Sequence, residues 1–107
     1  GSEIIEIPYI NPIDGNPHRY FADFFAEFKD ERGQYKKWVI EVKPLAKLSP
    51  PKQKKRTKTW AYQMNEYMIN TAKWNAAGGF CSKRGWEFKI FTEEEIKALD
   101  RFVPSSR

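Results

Sequence analysis

Apolar and polar positions alternate in short runs through the first half of the chain, then switch to a helical period. Ile4 to Ile10 alternates Ile and Glu up to Pro8, which predicts a short edge strand. Asn11 to Pro17 is turn chemistry throughout. His18 to Phe28 and Trp38 to Lys43 read as strands, joined by a turn over Asp30 to Gln34 with Gly33 inside it. Pro44 ends the second of these. From about Thr59 to Ala77 the period becomes helical. Trp60, Met64, Tyr67, Met68 and Ala72 recur at three- and four-residue steps and predict the apolar face. Gly78-Gly79 is expected to stop or loosen that helix. Trp86 to Phe91 reads as a last strand. Thr92, with Glu95 three residues on, is a capping box for a short helix through Asp100. The predicted order is β-β-β-α-β-α, an α/β sheet with a crossover helix.

Register decides what the central hairpin brings together. In Trp38-Val39-Ile40-Glu41-Val42-Lys43, period-two geometry puts Val39, Glu41 and Lys43 on one face. A turn centred on Arg32 sets Asp23 opposite Glu41, with Cβ atoms ~4.5–5.5 Å apart. Lys43 then lies diagonal to Asp23. A slip of one residue would send Asp23 to the other face. Two facing carboxylates repel, and a divalent cation relieves the repulsion. One or two carboxylates, completed by water and substrate phosphate, describe a Mg²⁺ (or Mn²⁺) site. A neighbouring lysine can orient water or steady charge on a phosphate. An exposed Asp–Lys–Glu network on a solvated strand face is the plainer alternative.

Composition narrows the partners. The 107 residues suit one small domain, residues 1–107, with no room for a second core. No apolar run is long enough for a membrane helix, and the N-terminus lacks a secretory signal pattern. One cysteine (Cys81) and one histidine (His18) exclude a disulfide framework and a Cys/His zinc site within the chain. The single cysteine agrees with a reducing compartment, so the expected location is the cytoplasm rather than a secreted one. The net charge is +5, and the stretch from Lys43 to Asn65 has no Asp or Glu but seven Lys and Arg. The loop over 44–58 holds Lys47, Lys52, Lys54, Lys55, Arg56 and Lys58. It reads either as a solvated loop, marked by Ser49-Pro50-Pro51, or as a strip that neutralises phosphates. Arg19 could add a phosphate contact or cap the hairpin. Residues 102–107 read as a frayed tail.

Asp23 on one strand, followed by Glu41-Val42-Lys43 on the next and then a helix, resembles the PD-(D/E)XK nuclease superfamily. Ala22 stands where the superfamily often has Pro. Arg19 to Phe24 and Trp38 to Pro44 are similar to the TnsA-like branch. Ile7-Pro8-Tyr9, the basic Pro50 to Lys58 segment and Asn70 to Ala77 are closer still to head-completion nucleases of contractile-tailed phages.

The resemblance implies a restriction-endonuclease-like mixed sheet. Asp23 and Glu41 would bind Mg²⁺, and Lys43 would assist the attacking water. Hydrolysis would leave a 5′-phosphate and a 3′-hydroxyl. The partners would be DNA and phage head or portal proteins. In many members a first helix supplies another Glu. This sequence opens instead at a strand, and Glu3 and Glu6 are poor substitutes. Gln63 and Tyr67 match a Gln-x-x-x-Tyr pattern of RecB-like members, or are simply helix surface and packing. The leading expectation is a metal-dependent DNA endonuclease in phage head completion. The alternatives are a non-catalytic DNA-binding or virion structural module with a nuclease-like fold, and a junction resolvase, which would need a symmetric dimer.

Overall fold

The computed structural model describes residues 5–52 and 55–102. Residues 1–4, residues 53–54 with Lys54 of the basic loop, and the tail from residue 103 lie outside the described residues.

Two small sheets share one helix. β1 (Glu6–Ile10) pairs antiparallel with β2 (Pro17–Phe21), with Ile7 opposite Tyr20. Ile7, Tyr9 and Tyr20 point inward and are buried, while Glu6, Pro8 and Ile10 face out. The link between them is built on Asx turns: Ile13 N–H donates to Asn11 Oδ1 at 2.8 Å, and Asn16 N–H to Asp14 Oδ1 at 2.8 Å.

The second sheet has the order β3-β4-β5. β3 (Phe24–Lys29) and β4 (Tyr35–Val42) form an antiparallel hairpin. Its turn is shaped by Asp30, whose Oδ1 accepts from Arg32 N–H and Gln34 N–H, both at 2.9 Å. Gly33 sits at φ +78°, which a side chain would disfavour. β4 then pairs parallel with β5 (Glu87–Phe91), a geometry that requires a crossover.

The crossover is α1 (Lys58–Lys83). Thr57 caps it by accepting from Trp60 N–H at 3.1 Å. The expected stop at Gly78-Gly79 is not found. The helix runs six residues past the expected Ala77 end, because Phe80 and Cys81 beyond the glycines reach the core. Two glycines cost about 1 kcal/mol each in a helix, and that burial offsets them. The actual stop is a Schellman motif: Gly85 N–H donates to Ser82 O at 3.2 Å and Trp86 N–H to Cys81 O at 2.9 Å. Gly85 holds the left-handed φ of +72°.

The core joins Ile7, Tyr9 and Tyr20 of the first sheet, Val39 of the second, and Ala77 and Cys81 of α1. Full burial of Val39 alone is worth roughly 1.5–3 kcal/mol. The buried residues of α1 are Asn70, Ala77 and Cys81. The buried face is rotated from the expected stripe: Ala72 packs against the core and Trp60, Met64 and Tyr67 are half-buried, but Met68 is 41% exposed. Two of the three residues buried on that face, Ala77 and Cys81, have small side chains.

Four strands precede α1 rather than the three expected. The stretch His18 to Phe28 is divided by a bend at Ala22-Asp23, so it serves both sheets. The capping box at Thr92 does form. Glu95 N–H donates to Thr92 Oγ1 at 3.3 Å and Thr92 N–H to Glu95 Oε1 at 3.1 Å, opening α2 (Glu93–Phe102). Among the described residues, no helix is long and apolar enough to cross a membrane.

Candidate active site at the end of β4

The β3–β4 ladder begins at Phe24 opposite Ile40. One further step of that register would set Asp23 opposite Glu41, as the sequence predicts, but the ladder stops short. Asp23 is an exposed bend residue rather than part of an apolar strand. Its Oδ2 accepts from Val42 N–H at 2.9 Å. The carboxylate thus takes the place of a backbone partner at the strand end. One residue further, Lys43 N–H turns to the other side and donates to Phe91 O at 3.0 Å. Asp23 is tied by this contact to the tip of β4, beside the Glu41-Val42-Lys43 segment.

Glu41 shares the inward face of β4 with Val39, and only 5% of it is exposed. A carboxylate this buried needs partners. Oε1 accepts from Tyr20 Oη at 2.5 Å, and Oε2 lies 3.7 Å from Lys43 Nζ. Burial pushes the Glu41 carboxyl above its ordinary value, and the charge of Asp23 adds to the rise. The Tyr20 hydrogen bond, Lys43 and Lys73 act the other way without cancelling it. Burial and the hydrogen bond to Glu41 push the Tyr20 phenol well up, so it remains a donor.

Two participants lie within family-like segments but do not stand out there as site residues. Tyr20 is one aromatic among several in an apolar strand. Its signal is the alternation that puts it on the inward side of β2. Lys73 lies on α1, with its Nζ 5.9 Å from the Tyr9 ring centroid and 5.7 Å from that of Tyr20. A lysine between apolar helix positions, as in Ala72-Lys73-Trp74, is the available clue.

Could these residues hold a metal? Glu41 is a carboxylate whose proton affinity is raised first by burial and then by the charge of Asp23, and a cation relieves such a pair. Both donors are hard oxygens, and Mg²⁺ takes one or two carboxylates with water and phosphate completing its shell. The pair fits on those terms. Among the described residues no group of three or more His, Cys, Asp and Glu assembles. His18 is elsewhere, its Nε2 2.9 Å from Asp14 Oδ2.

The basic residues are unequal. Lys47 is engaged, its Nζ 2.6 Å from Glu66 Oε1. Arg19 is exposed and loosely paired with Glu6 at 3.6 Å. Lys52, Lys55 and Lys58 are exposed, and Arg56 lies 5.6 Å from the Trp60 ring centroid. Gln63 is exposed and Tyr67 half-buried, and both line a groove between α1 and the segment after Lys43.

Residues 1–93 match the family model described as TnsA-like endonuclease N terminal. The chain belongs to the TnsA-like endonuclease family. It is also similar to the head completion nuclease of Enterobacteria phage T4. The two are 39% identical over 104 residues, covering 92% of this chain and 67% of that protein. No solved structure matches. The mixed sheet crossed by α1 is consistent with this TnsA-like assignment.

Proposed function

We propose that this TnsA-like domain is a Mg²⁺-dependent DNA endonuclease acting in phage head completion. The observation that carries the reading is the meeting of Asp23, Glu41 and Lys43 at one strand end. Asp23 is fixed on Val42 N–H, and Lys43 stands 3.7 Å from the buried Glu41 carboxylate. The similarity to a phage head completion nuclease supplies the biological setting.

Asp23 and Glu41 would hold Mg²⁺. When bound, the ion supplies activation of water and neutralisation of phosphate charge. Tyr20 fixes one Glu41 oxygen and leaves the other toward Lys43. The Lys43 ammonium orients the water nucleophile and balances charge that builds on the phosphate. The water oxygen forms a bond to phosphorus as the P–O3′ bond breaks; the attacking water gives its proton to bulk water and O3′ takes one from bulk water, leaving a 5′-phosphate and a 3′-hydroxyl. Arg19, Lys52, Lys55, Arg56 and Lys58 contribute backbone attraction. Lys47 contributes less, because Glu66 already neutralises it, and Lys54 completes the basic loop in sequence.

The test is plasmid cleavage with Mg²⁺ or Mn²⁺ against the same reaction in EDTA. Nicking that requires the metal supports the reading. Salt-sensitive DNA binding with no cutting under any metal condition would favour a DNA-binding virion module instead.

A further inference from the structure

The segment after Lys43 does not lie flat on α1. Pro44 leads into a single 3-10 turn, Leu45–Leu48, and then into Ser49-Pro50-Pro51. Between this segment and the first half of α1 lies a groove of about 780 Å³. That is within the roughly 300–1,000 Å³ range of small-ligand sites.

Its lining is chemically mixed in a particular way. Leu45, Pro50 and Pro51 form an apolar wall, and Tyr67 supplies an aromatic ring from the helix. Asn70, 6% exposed, lines it from the helix, and Lys52 lines it from the loop. Lys47 and Glu66 also border it, but they neutralise each other at 2.6 Å. A flat aromatic group with donors and acceptors on its edge suits the apolar wall, the ring and the amide together. An attached phosphate suits Lys52. Those are the parts of a nucleotide whose base is not paired, since a base inside a duplex is stacked on both faces and paired along its Watson–Crick edge.

Two lining residues stand close in the chain to residues of the carboxylate site. Leu45 is two residues beyond Lys43 in the chain. Asn70 is one helical turn before Lys73, whose charge acts on Glu41.

We propose that this groove holds an unpaired nucleobase of the DNA strand next to the phosphate being cut, so that the protein favours tailed or gapped DNA over blunt duplex. This rests on the nuclease reading and names the substrate of the same site.

The test is fluorescence anisotropy in EDTA, so that nothing is cut. Three DNAs are compared with the intact protein: a blunt duplex, the same duplex with an unpaired tail, and that duplex with abasic sites in the tail. The tailed duplex is expected to bind at least about fivefold tighter than the blunt one, from base stacking alone. The abasic tail should forfeit most of that gain, and so should Tyr67→Leu and Gln63→Ala with the normal tail. Equal affinity for normal and abasic tails would overturn the groove assignment while leaving the nuclease reading intact. So would equal affinity for blunt and tailed duplexes. Absence of binding to every DNA would overturn both. The abasic comparison needs no protein variant, so a poorly folded Tyr67→Leu cannot decide the outcome.

Discussion

Tyr20 and Glu41 lie on different sheets, and a 2.5 Å hydrogen bond from the phenol to Oε1 joins them. The bond ties the small β1–β2 sheet to the strand that carries the candidate chemistry. It also fixes which Glu41 oxygen remains available. Tyr20→Phe keeps the ring and removes the donor, leaving a buried carboxylate short of a partner. The expected cost is about 1.5–3 kcal/mol in urea denaturation. A positioning role adds a second effect that simple destabilisation does not. The Mg²⁺ concentration for half-maximal cutting should rise about 10–100-fold. Unchanged metal dependence would reduce Tyr20 to a packing residue.

Burial raises the Glu41 pKa above its ordinary value, so the fold favours the neutral acid. The stability this gives is present below the unfolded pKa and is lost as pH rises through the raised folded value. Without metal, Glu41→Gln should therefore gain stability relative to the parent chain as the pH rises from about 4. Thermal melts in EDTA over a pH series measure it. A difference that does not change with pH would contradict the assignment.

Added Mg²⁺ or Mn²⁺ should raise the melting temperature of the parent chain, since a ligand that binds only the folded state stabilises it. Asp23→Asn and Glu41→Gln should each abolish most of that rise. An equal rise in all three proteins would place the metal elsewhere.

Gly85→Ala tests the end of α1. A Cβ there meets no atom within 4 Å, so the cost is the left-handed backbone alone. The expected loss is about 1–2 kcal/mol in denaturant unfolding, with the same m-value.

The hairpin was legible because its turn residues and its alternation agree. Asp30 and Gly33 set the loop, and Phe24 opposite Ile40 follows from it. What that pattern did not show was the bend at Asp23, where a side chain replaces a ladder partner. The apolar run from Tyr20 to Phe25, broken only at Asp23, carries no sign of a strand changing sheets. The long reach of α1 was hidden for a related reason. Gly78-Gly79 is a strong local stop, overridden by tertiary burial of Cys81. Tyr20 bonds Glu41, and the charge of Lys73 acts on it, only through the packing of a sheet and a helix, at separations no periodicity covers. The basic run was visible as charge, but the pairing of Lys47 with Glu66 crosses from the loop to α1.

That pairing gives the loop a graded prediction. Each lysine that pairs with a DNA phosphate should contribute about 0.9 to the salt slope of binding. Lys52→Ala and Lys58→Ala should each flatten the slope, and Lys47→Ala should do so less. Equal slopes for all three variants would contradict the role given to Glu66.

The most direct test of the central claim compares cutting and binding in Lys43→Ala. Lys43 stands 3.7 Å from Glu41 and outside the buried core, so its removal leaves the fold in place. The account predicts that Mg²⁺-dependent cleavage is lost while DNA affinity, measured in EDTA, stays within a few-fold of the parent chain. Cleavage retained in Lys43→Ala would contradict the assignment of this site.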